Sequence, residues 1–482
     1  MKTINKMLSP LAAAMVLTGC MSLAPKYERP AAPVAADFPT APTPDGAAPV
    51  SAATTEAASS IAWQRFFADP RLQQLIALAL ENNRDLRVAI LNIEQARAAY
   101  RIRRADLLPT VGVGASGSIR PGPDAYQAGV QISSFELDFF GRVRSLSNAA
   151  QAQFLATEEA RKTTQISLIA QVASTYLAYQ ADEELLALTR QTLKTREDSQ
   201  GLTQLKYDNG IVSKLDLDQG KSLVETARVV LAQQLRQRAQ DANLLNLLVG
   251  GPIPATLPAG VALADTNLAE LPPGLPSDLL TVRPDIRSAE QQLIAANANI
   301  GAARANFFPN ISLTGSGGSA STELSGLFKG GSFGFTFAPQ IFLPIFDYGR
   351  NKANLDNSVA GRDIAVAQYE RSIQSAFREV ADALAGQSTY TEQLRAQRAV
   401  AKSESDRFGL SDLRYRSGAA SYLDLLDAQR SLFDAQRASV EANLLRLQNQ
   451  VTLYRVLGGG WTVPATATTA ANAATTTKPS RQ

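Results

Sequence analysis

Three landmark segments occur twice along the chain, in the same order. "LLPTVGVGASGS" (residues 107–118) returns as "FFPNISLTGSGG" (307–318), an offset of 200. "LDFFGRVRS" (137–145) returns as "IFDYGRNKA" (345–353), and "LKYDNGIVSKLDL" (205–217) as "LRYRSGAASYLDL" (413–425), both at an offset of 208. Whatever one copy folds into, the other must fold into as well, so the chain is two tandem versions of one unit. The second copy gains eight residues between its first two landmarks. This divides the sequence into a first repeat at 61–250, a Pro-rich connection at 251–283 and a second repeat at 284–460.

Each copy has one internal order. A helical stretch (71–108; 287–308) halts at Pro109 or Pro309, where the lost N–H and the ring stop an α-helix. A Gly- and Ser-rich run with strand character follows as a hairpin, 110–119 with 126–137 and 311–321 with 333–345. The Gly141-Arg142 and Gly349-Arg350 steps then open a long helical stretch, Gly210 and Gly418 mark a turn, and a second helix runs back to Gly250 or Gly458. Ile169, Val172, Tyr176 and Tyr179 are spaced 3, 4, 3, and Val440, Leu444, Leu447, Val451 and Tyr454 are spaced 4, 3, 4, 3, which predicts coiled-coil-like packing. A helix over 142–207 would be roughly 100 Å long at 1.5 Å per residue, far beyond what a compact domain needs.

In the second strand, Tyr126, Ala128, Val130, Ile132 and Ser134 fall on one face, and Gln127, Gly129, Gln131 and Ser133 on the other. One apolar and one polar face over about ten residues is the pattern of an outer-membrane barrel strand. Phe333, Phe335 and Phe337 share a face, and Phe139, Phe140, Phe346 and Tyr348 sit at strand ends, where an interfacial girdle belongs. Four strands cannot close a barrel in hydrocarbon, because open edges leave backbone groups unpaired. Closure therefore calls for strands from other copies: eight from two chains, twelve from three.

The N-terminus predicts export. "MKTINK" is basic, residues 7–17 are mostly apolar but too short to span a bilayer, and "LTGC" ends the segment like a lipobox. On that reading residues 1–19 are a lipoprotein signal peptide, Cys20 is acylated, and 20–60, rich in Pro, Ala and Thr, is an extended tether. Residues 461–482 read as a disordered tail. The chain has no histidine, and Cys20 is its only cysteine. The commonest general base, thiolate zinc sites and internal disulfides are therefore unavailable, and no catalytic set or cofactor motif replaces them. Without Lys2 and Lys6 of the leader the charge is 45 basic against 44 acidic residues, unlike a nucleic-acid binder. No cofactor is expected beyond the lipid on Cys20, no metal site, and no enzymatic activity.

The chain resembles the TolC-like outer-membrane factors, in the lipoprotein branch that serves drug-efflux pumps. The resemblance runs through "LTGC", "YERPAAPV", "WQRFFADPRLQQLIALALENNRDLR", "FELDFFGRVRS", "RPDIRSAEQQLIAANANIGAARANFFPNISLTGS", "FAPQIFLPIFDYGRNKANLD" and "YLDLLDAQRSLF", nearly the whole length. It implies an α+β membrane protein: a homotrimer with four β-strands per chain in a twelve-stranded outer-membrane barrel, and long helices forming a periplasmic tunnel. It also implies docking to a periplasmic adaptor (membrane fusion) protein and, through it, to an inner-membrane transporter of the RND type. The exit duct of a type I secretion system shares this architecture, and a trimeric coiled-coil adhesin is the rival from another class.

In that family acidic rings lie at the narrowest point of the periplasmic tip, and Asp424 and Asp427 match them. Tyr415 and Asp216 match a tyrosine and an aspartate that form closing contacts in some members. The arginine partner of that latch is replaced by Ala420, with Lys214, Arg414 and Arg416 nearby. Asp424 also has a local reading, since Ser421-x-x-Asp424 and Ser213-x-x-Asp216 are both capping boxes. Asp427 has no counterpart in the first copy, where Gln219 stands, and is the sharper candidate for a carboxylate facing the tunnel. Gly141, Arg142, Gly349 and Arg350 mark the strand-to-helix junctions, where the two arginines are expected at lipid headgroups, in the wall, or simply as solubilising charges at a helix start.

Overall fold

A computed structural model describes residues 22–35, 37–38, 58–119, 121–269, 271 and 276–461. The leader, Cys20, most of the tether and residues 462–482 lie outside the described residues. In order, the main elements are α1 (Pro70–Asn82), α2 (Arg84–Ala105), β1 (Val111–Ser118), β2 (Ala125–Glu136), α3 (Arg142–Asp208), α4 (Lys214–Val249), α5 (Pro284–Ala305), β3 (Asn310–Ser321), β4 (Phe333–Phe342), α6 (Arg350–Arg416) and α7 (Tyr422–Val456). The repeat is literal: α2 and α5 have 22 residues each, and α3 and α6 have 67 each. The eight extra residues of the second copy lie in its hairpin, where three lengthen the far end of β3 and five lengthen the loop before β4.

The helical stretch predicted over 71–108 is two helices. Asn83 caps the end of α1 and starts α2: its Oδ1 accepts from Leu86 N at 2.9 Å, and its Nδ2 donates to the Leu248 carbonyl at 2.9 Å. Asparagine is a preferred N-cap because its short side chain satisfies a first-turn amide, and here a tertiary bond fixes it as well. Apolar periodicity on both sides of Asn83 conceals the break.

By Cα proximity the chain forms two compact units, and each draws on both repeats. One comprises Ala89–Arg161, Asp285–Ile373 and the chain up to Pro33; the other comprises Val34–Val88, Lys162–Pro284 and Gln374–Gln482. The first unit holds an antiparallel sheet in the order β1-β2-β3-β4. One face of the sheet carries Val111, Val113, Val130, Ile132 and the Phe333, Phe335 and Phe337 row; partners such as Val113↔Val130 and Gly317↔Phe335 keep these on the same side. The other face carries Gly, Ser, Gln and Thr, for example Gly112↔Gln131 and Ser316↔Thr336. Gly129 and Gly318 are opposed so closely that a Cβ on Gly318 would lie 2.3 Å from the Ala128 carbonyl oxygen, so this row must stay side-chain-free to let the two strands approach. The apolar valines of β1 and phenylalanines of β4 stay exposed, Val113 at 86% and Phe335 at 84%. The alternation of β2 ends before Ser134: the register shifts between Ile132 and Phe135, and Ser134 has φ +47°. Ser134 therefore belongs to a bulge, and not to the apolar face the period-two pattern assigned it.

The second unit is a packed helical core. Phe66 stacks on Tyr454 with centroids 4.1 Å apart, and the Tyr454 hydroxyl donates to the Ile61 carbonyl at 2.6 Å. Asp69 ties three segments together. Its Oδ1 caps α1 at Arg71 N, and its Oδ2 accepts from Tyr176 Oη at 2.9 Å and from Val261 N at 3.2 Å in the Pro-rich connection. The heptad positions Ile169, Val172, Tyr176, Val440, Leu447, Val451 and Tyr454 are buried as their spacing predicts, whereas Tyr179 and Leu444 are half-buried. Among the described residues no helix is long and apolar enough to cross a membrane.

Candidate functional site

The two helical-hairpin tips are built from the same parts. At the end of α3, Gly210 (φ +70°) donates to Tyr207 O and Ile211 N to Lys206 O; at the end of α6, Gly418 (φ +77°) donates to Tyr415 O and Ala419 N to Arg414 O. Paired bonds of this kind around a left-handed glycine close a helix C-terminus. Capping boxes then start the return helices. Ser213 Oγ accepts from Asp216 N at 3.2 Å while the Asp216 carboxylate accepts from Ser213 N at 3.1 Å, and Ser421 with Asp424 repeats this at 3.2 Å each way.

Beyond the turns the tips diverge. Tyr415 and Tyr422 pack together at 5.3 Å between centroids, in a buried cluster with Leu223, Leu425 and Leu426. Lys206 Nζ lies 4.2 Å from the centroid of the Tyr415 ring, a cation–π contact that joins the first hairpin to the second. The Tyr415 hydroxyl is buried with no hydrogen-bond partner, and the Asp216 carboxylate is engaged by Ser213, so Tyr415 and Asp216 are not bonded to each other in this chain. Asp427 points to solvent with 54% of its side chain exposed and accepts from Arg407 Nη1 at 3.0 Å; Arg407 Nε also donates to Glu404 at 2.7 Å. These two carboxylates hold the Arg407 pKa above its usual value. The first copy has Ser199 and Gln219 in place of Arg407 and Asp427.

Two features were not anticipated. Arg196 of α3 is buried, with Nη1 donating to the Leu223 carbonyl at 3.2 Å and its guanidinium 5.3 Å from the Phe433 ring centroid, and its Nε has no partner. Burial depresses its pKa. Further along α3, Asp182 is buried against Asp241 of α4, and burial together with the neighbouring carboxylate pushes its pKa up to about 7. The repeat contained the signal in both cases: Arg196 aligns with Glu404, and Asp182 and Asp241 align with Tyr390 and Asn449.

At the strand-to-helix junctions of the first unit, Gly141 (φ +73°) and Gly349 (φ +82°) turn the chain into α3 and α6. Asp138 caps α3 through Val143 N at 3.0 Å and Arg144 N at 2.8 Å, and Asp347 caps α6 through Asn351 N at 2.9 Å. Arg142 forms a forked pair with Glu136, with Nε donating to Oε1 at 2.8 Å, so its guanidinium is held within the chain. Arg350 is exposed, and the counterpart of Glu136 is Pro344. A cavity of about 510 Å³ opens between the junctions, lined by Phe140, Phe308, Phe346, Tyr348 and Arg350 among others. Among the described residues no cluster of acidic side chains is arranged to hold a metal ion.

A two-faced sheet whose outer edges have no partner strand among the described residues, joined to helical hairpins of nearly equal length, defines a class of membrane channel, and comparison with known proteins gives the family. The family model of outer membrane efflux proteins matches residues 75–251 and 275–459, and the chain belongs to that family. It is 49% identical over 469 residues to a probable efflux pump outer membrane protein, TtgC, of Pseudomonas putida, covering 95% of this chain and 96% of that one. It is 45% identical over 466 residues to the outer membrane protein OprJ of Pseudomonas aeruginosa, covering 94% and 95%. Among solved structures, the open state of the Neisseria gonorrhoeae MtrE outer membrane channel is similar with a TM-score of 0.84 at 40% identity, covering 92% of this chain and 98–99% of the solved one in that comparison and in that with a Pseudomonas aeruginosa membrane protein at 44% identity. The fold is that of the TolC-like outer-membrane channels.

Proposed function

We propose that this chain is the outer-membrane channel of a tripartite efflux pump, a passive exit duct for drugs, solvents and other small toxic compounds, with no catalytic role of its own. The observation that supports this most strongly is the match to efflux outer membrane proteins across both repeats, on a sheet with one apolar and one polar face. Three copies would close twelve strands into a barrel, with the Gly/Ser/Gln face lining the lumen and the valine and phenylalanine rows facing lipid. Acylation of Cys20 would tether each chain to the membrane, and the helical tips would meet a periplasmic adaptor and, through it, an inner-membrane transporter of the RND type.

Asp424 and Asp427 are the proposed aperture carboxylates, with different weights. Asp424 caps α7, so its charge is partly committed to the helix. Asp427 is exposed and accepts from Arg407, so it becomes available to a permeating cation once that pair opens. Tyr415 and Asp216 remain the proposed closing contact, made by rearrangement of the Tyr415–Tyr422 cluster.

A deletion strain tests the function. Broad hypersensitivity to drugs, dyes and detergents, restored by the intact gene, is the expected result. Unchanged susceptibility with loss of a single secreted protein would move the chain to the type I secretion reading.

A further inference from the structure

The two β-hairpins differ most at the end remote from the helices. The loop between β1 and β2 is residues 119–124, and that between β3 and β4 is residues 322–332, five residues longer. The longer loop is bonded to itself throughout. A 3₁₀ turn spans Leu324–Gly326, Leu327 N donates to the Leu324 carbonyl at 3.3 Å, and Lys329 N donates to the Gly326 carbonyl at 3.1 Å. Ser332 Oγ donates to the Lys329 carbonyl at 2.8 Å and lies 2.9 Å from the Leu327 carbonyl oxygen. A loop tied in this way holds one shape, and that shape leaves apolar side chains outside. Leu327 is buried, but Leu324 is 66% exposed and Phe328 is 81% exposed.

Strand register fixes the side of the sheet on which the loop lies. Ser319 pairs with Phe333 and Ser321 with Tyr126, so the Ser321 side chain belongs to the face that carries Val130 and the phenylalanine row. A Cβ on Gly326 would come within 2.5 Å of Ser321 Oγ. The loop therefore folds back against the apolar side of the sheet, and its exposed Leu324 and Phe328 lengthen the apolar surface beyond Phe333. Lys329, next to Phe328, is exposed as well.

On the barrel reading proposed above, on which this rests, the hairpin ends opposite the helices reach the outer surface of the membrane. We propose that the β3–β4 loop is a foot on that surface: Leu324 and Phe328 enter the outer leaflet, and Lys329 meets an anionic lipid headgroup. Two observations favour lipid as the occupant. The loop continues the face whose valine and phenylalanine rows turn to hydrocarbon, so the same solvent covers both. A cation beside an apolar pair also suits the boundary where hydrocarbon gives way to phosphate, because lysine buries its methylene stem while its ammonium reaches back to the headgroups. An aromatic side chain at that depth is in its preferred environment. Each chain supplies one foot, from the second repeat.

Spin labelling of the full-length protein in vesicles of phosphatidylethanolamine and phosphatidylglycerol tests it. Cys20 is the native cysteine, so the unsubstituted protein carried through labelling gives the background. Phe328→Cys places the label in the loop, Phe335→Cys in the apolar row, and Lys402→Cys at an exposed position of α6. The readout is collision with dissolved oxygen relative to collision with a water-soluble nickel chelate. The ratio at 328 is expected to be several-fold above that at 402 and to approach that at 335. A ratio at 328 equal to that at 402, with 335 still in lipid, would overturn the foot and leave the barrel standing. An aqueous ratio at 335 would overturn the barrel itself. Dipolar broadening between labels at 328, with no oxygen preference, would show the loop covered by a neighbouring copy and would overturn the foot as well. Lys329→Glu is expected to lower the ratio at 328 in these vesicles and not in vesicles of phosphatidylcholine alone; an unchanged ratio in both would overturn the headgroup contact.

Discussion

Arg407 donates to Asp427 at 3.0 Å between α6 and α7, and neither charge has a counterpart in the first repeat, where Ser199 and Gln219 stand. The pair is exposed, so its worth to stability is small, about 0.2–1 kcal/mol for a solvated ion pair. If Asp427 is an aperture carboxylate, the pair acts on opening more than on stability. Arg407→Ala should leave the melting temperature within a degree or two and raise passive entry of large antibiotics in intact cells. Asp427→Ala should do the same, with the double variant no leakier than either single one. Additive leakage in the double variant would show that the two residues act separately.

Tip packing gives a steric prediction. A Cβ on Gly220 would lie 2.7 Å from the Tyr422 hydroxyl. Gly220→Val should therefore push Tyr422 out of the cluster with Tyr415 and Leu425, and hydrogen exchange of the α6–α7 turn should rise. Gly361→Val is the control, since nothing lies within 4 Å of a Cβ there.

The capping boxes make a paired prediction. Ser213→Ala and Ser421→Ala each remove an N-cap bond, at about 1 kcal/mol. Each should increase amide exchange in the first turn of its own return helix and leave the other hairpin unchanged.

Asp182 yields a pH dependence. Its pKa in the folded chain, about 7, lies above the ordinary carboxylate value, so the folded state holds the proton more tightly than the unfolded chain does. The stabilisation is present in full below the unfolded pKa and is lost as pH rises through about 7. Asp241, Glu183 and Arg238 form the charged surroundings, with Arg238 bound to Glu183 and to the neutral Tyr179 hydroxyl. Asp182→Asn should raise the melting temperature at pH 8 by a few degrees, change it little at pH 4, and flatten the decline between. A profile parallel to the parent protein's would contradict the assignment.

The N-terminal segment is clamped to α5 in the first unit. Glu290, itself buried, accepts from Tyr27 Oη at 3.0 Å and from Arg29 Nε at 2.7 Å, while Asn297 Nδ2 donates to the Pro25 carbonyl at 2.8 Å. Burial, together with the Glu290 carboxylate, pushes the Tyr27 pKa well above that of a free phenol. Glu290→Ala leaves both donors unpaired and should expose residues 22–30 to limited proteolysis, whereas Glu290→Gln should keep part of the protection.

The order of elements was legible because the repeat states each element twice. The hairpins and the buried heptads lie where period two and period 3.5 place them. What the sequence withheld depends on how helices are rotated against each other. Arg407 and Asp427 are 20 residues apart on different helices, and no local pattern says that they face. The Asp182–Asp241 pair was hidden for the same reason, although its alignment with Tyr390 and Asn449 in the second copy marks a place where the copies diverge. Asn83 was missed because helical periodicity continues on both sides of it. The bulge at Ser134 escaped because a one-residue slip leaves composition unchanged while moving every side chain beyond it to the other face.

The most direct test of the central claim is single-channel recording of the purified full-length protein in planar bilayers. Discrete, cation-preferring openings are expected, with conductance increased and cation preference reduced when Asp424→Ala and Asp427→Ala are combined. Openings whose size and selectivity are untouched by the double variant would remove the aperture from these carboxylates, and a protein that inserts without ever conducting would contradict the duct itself.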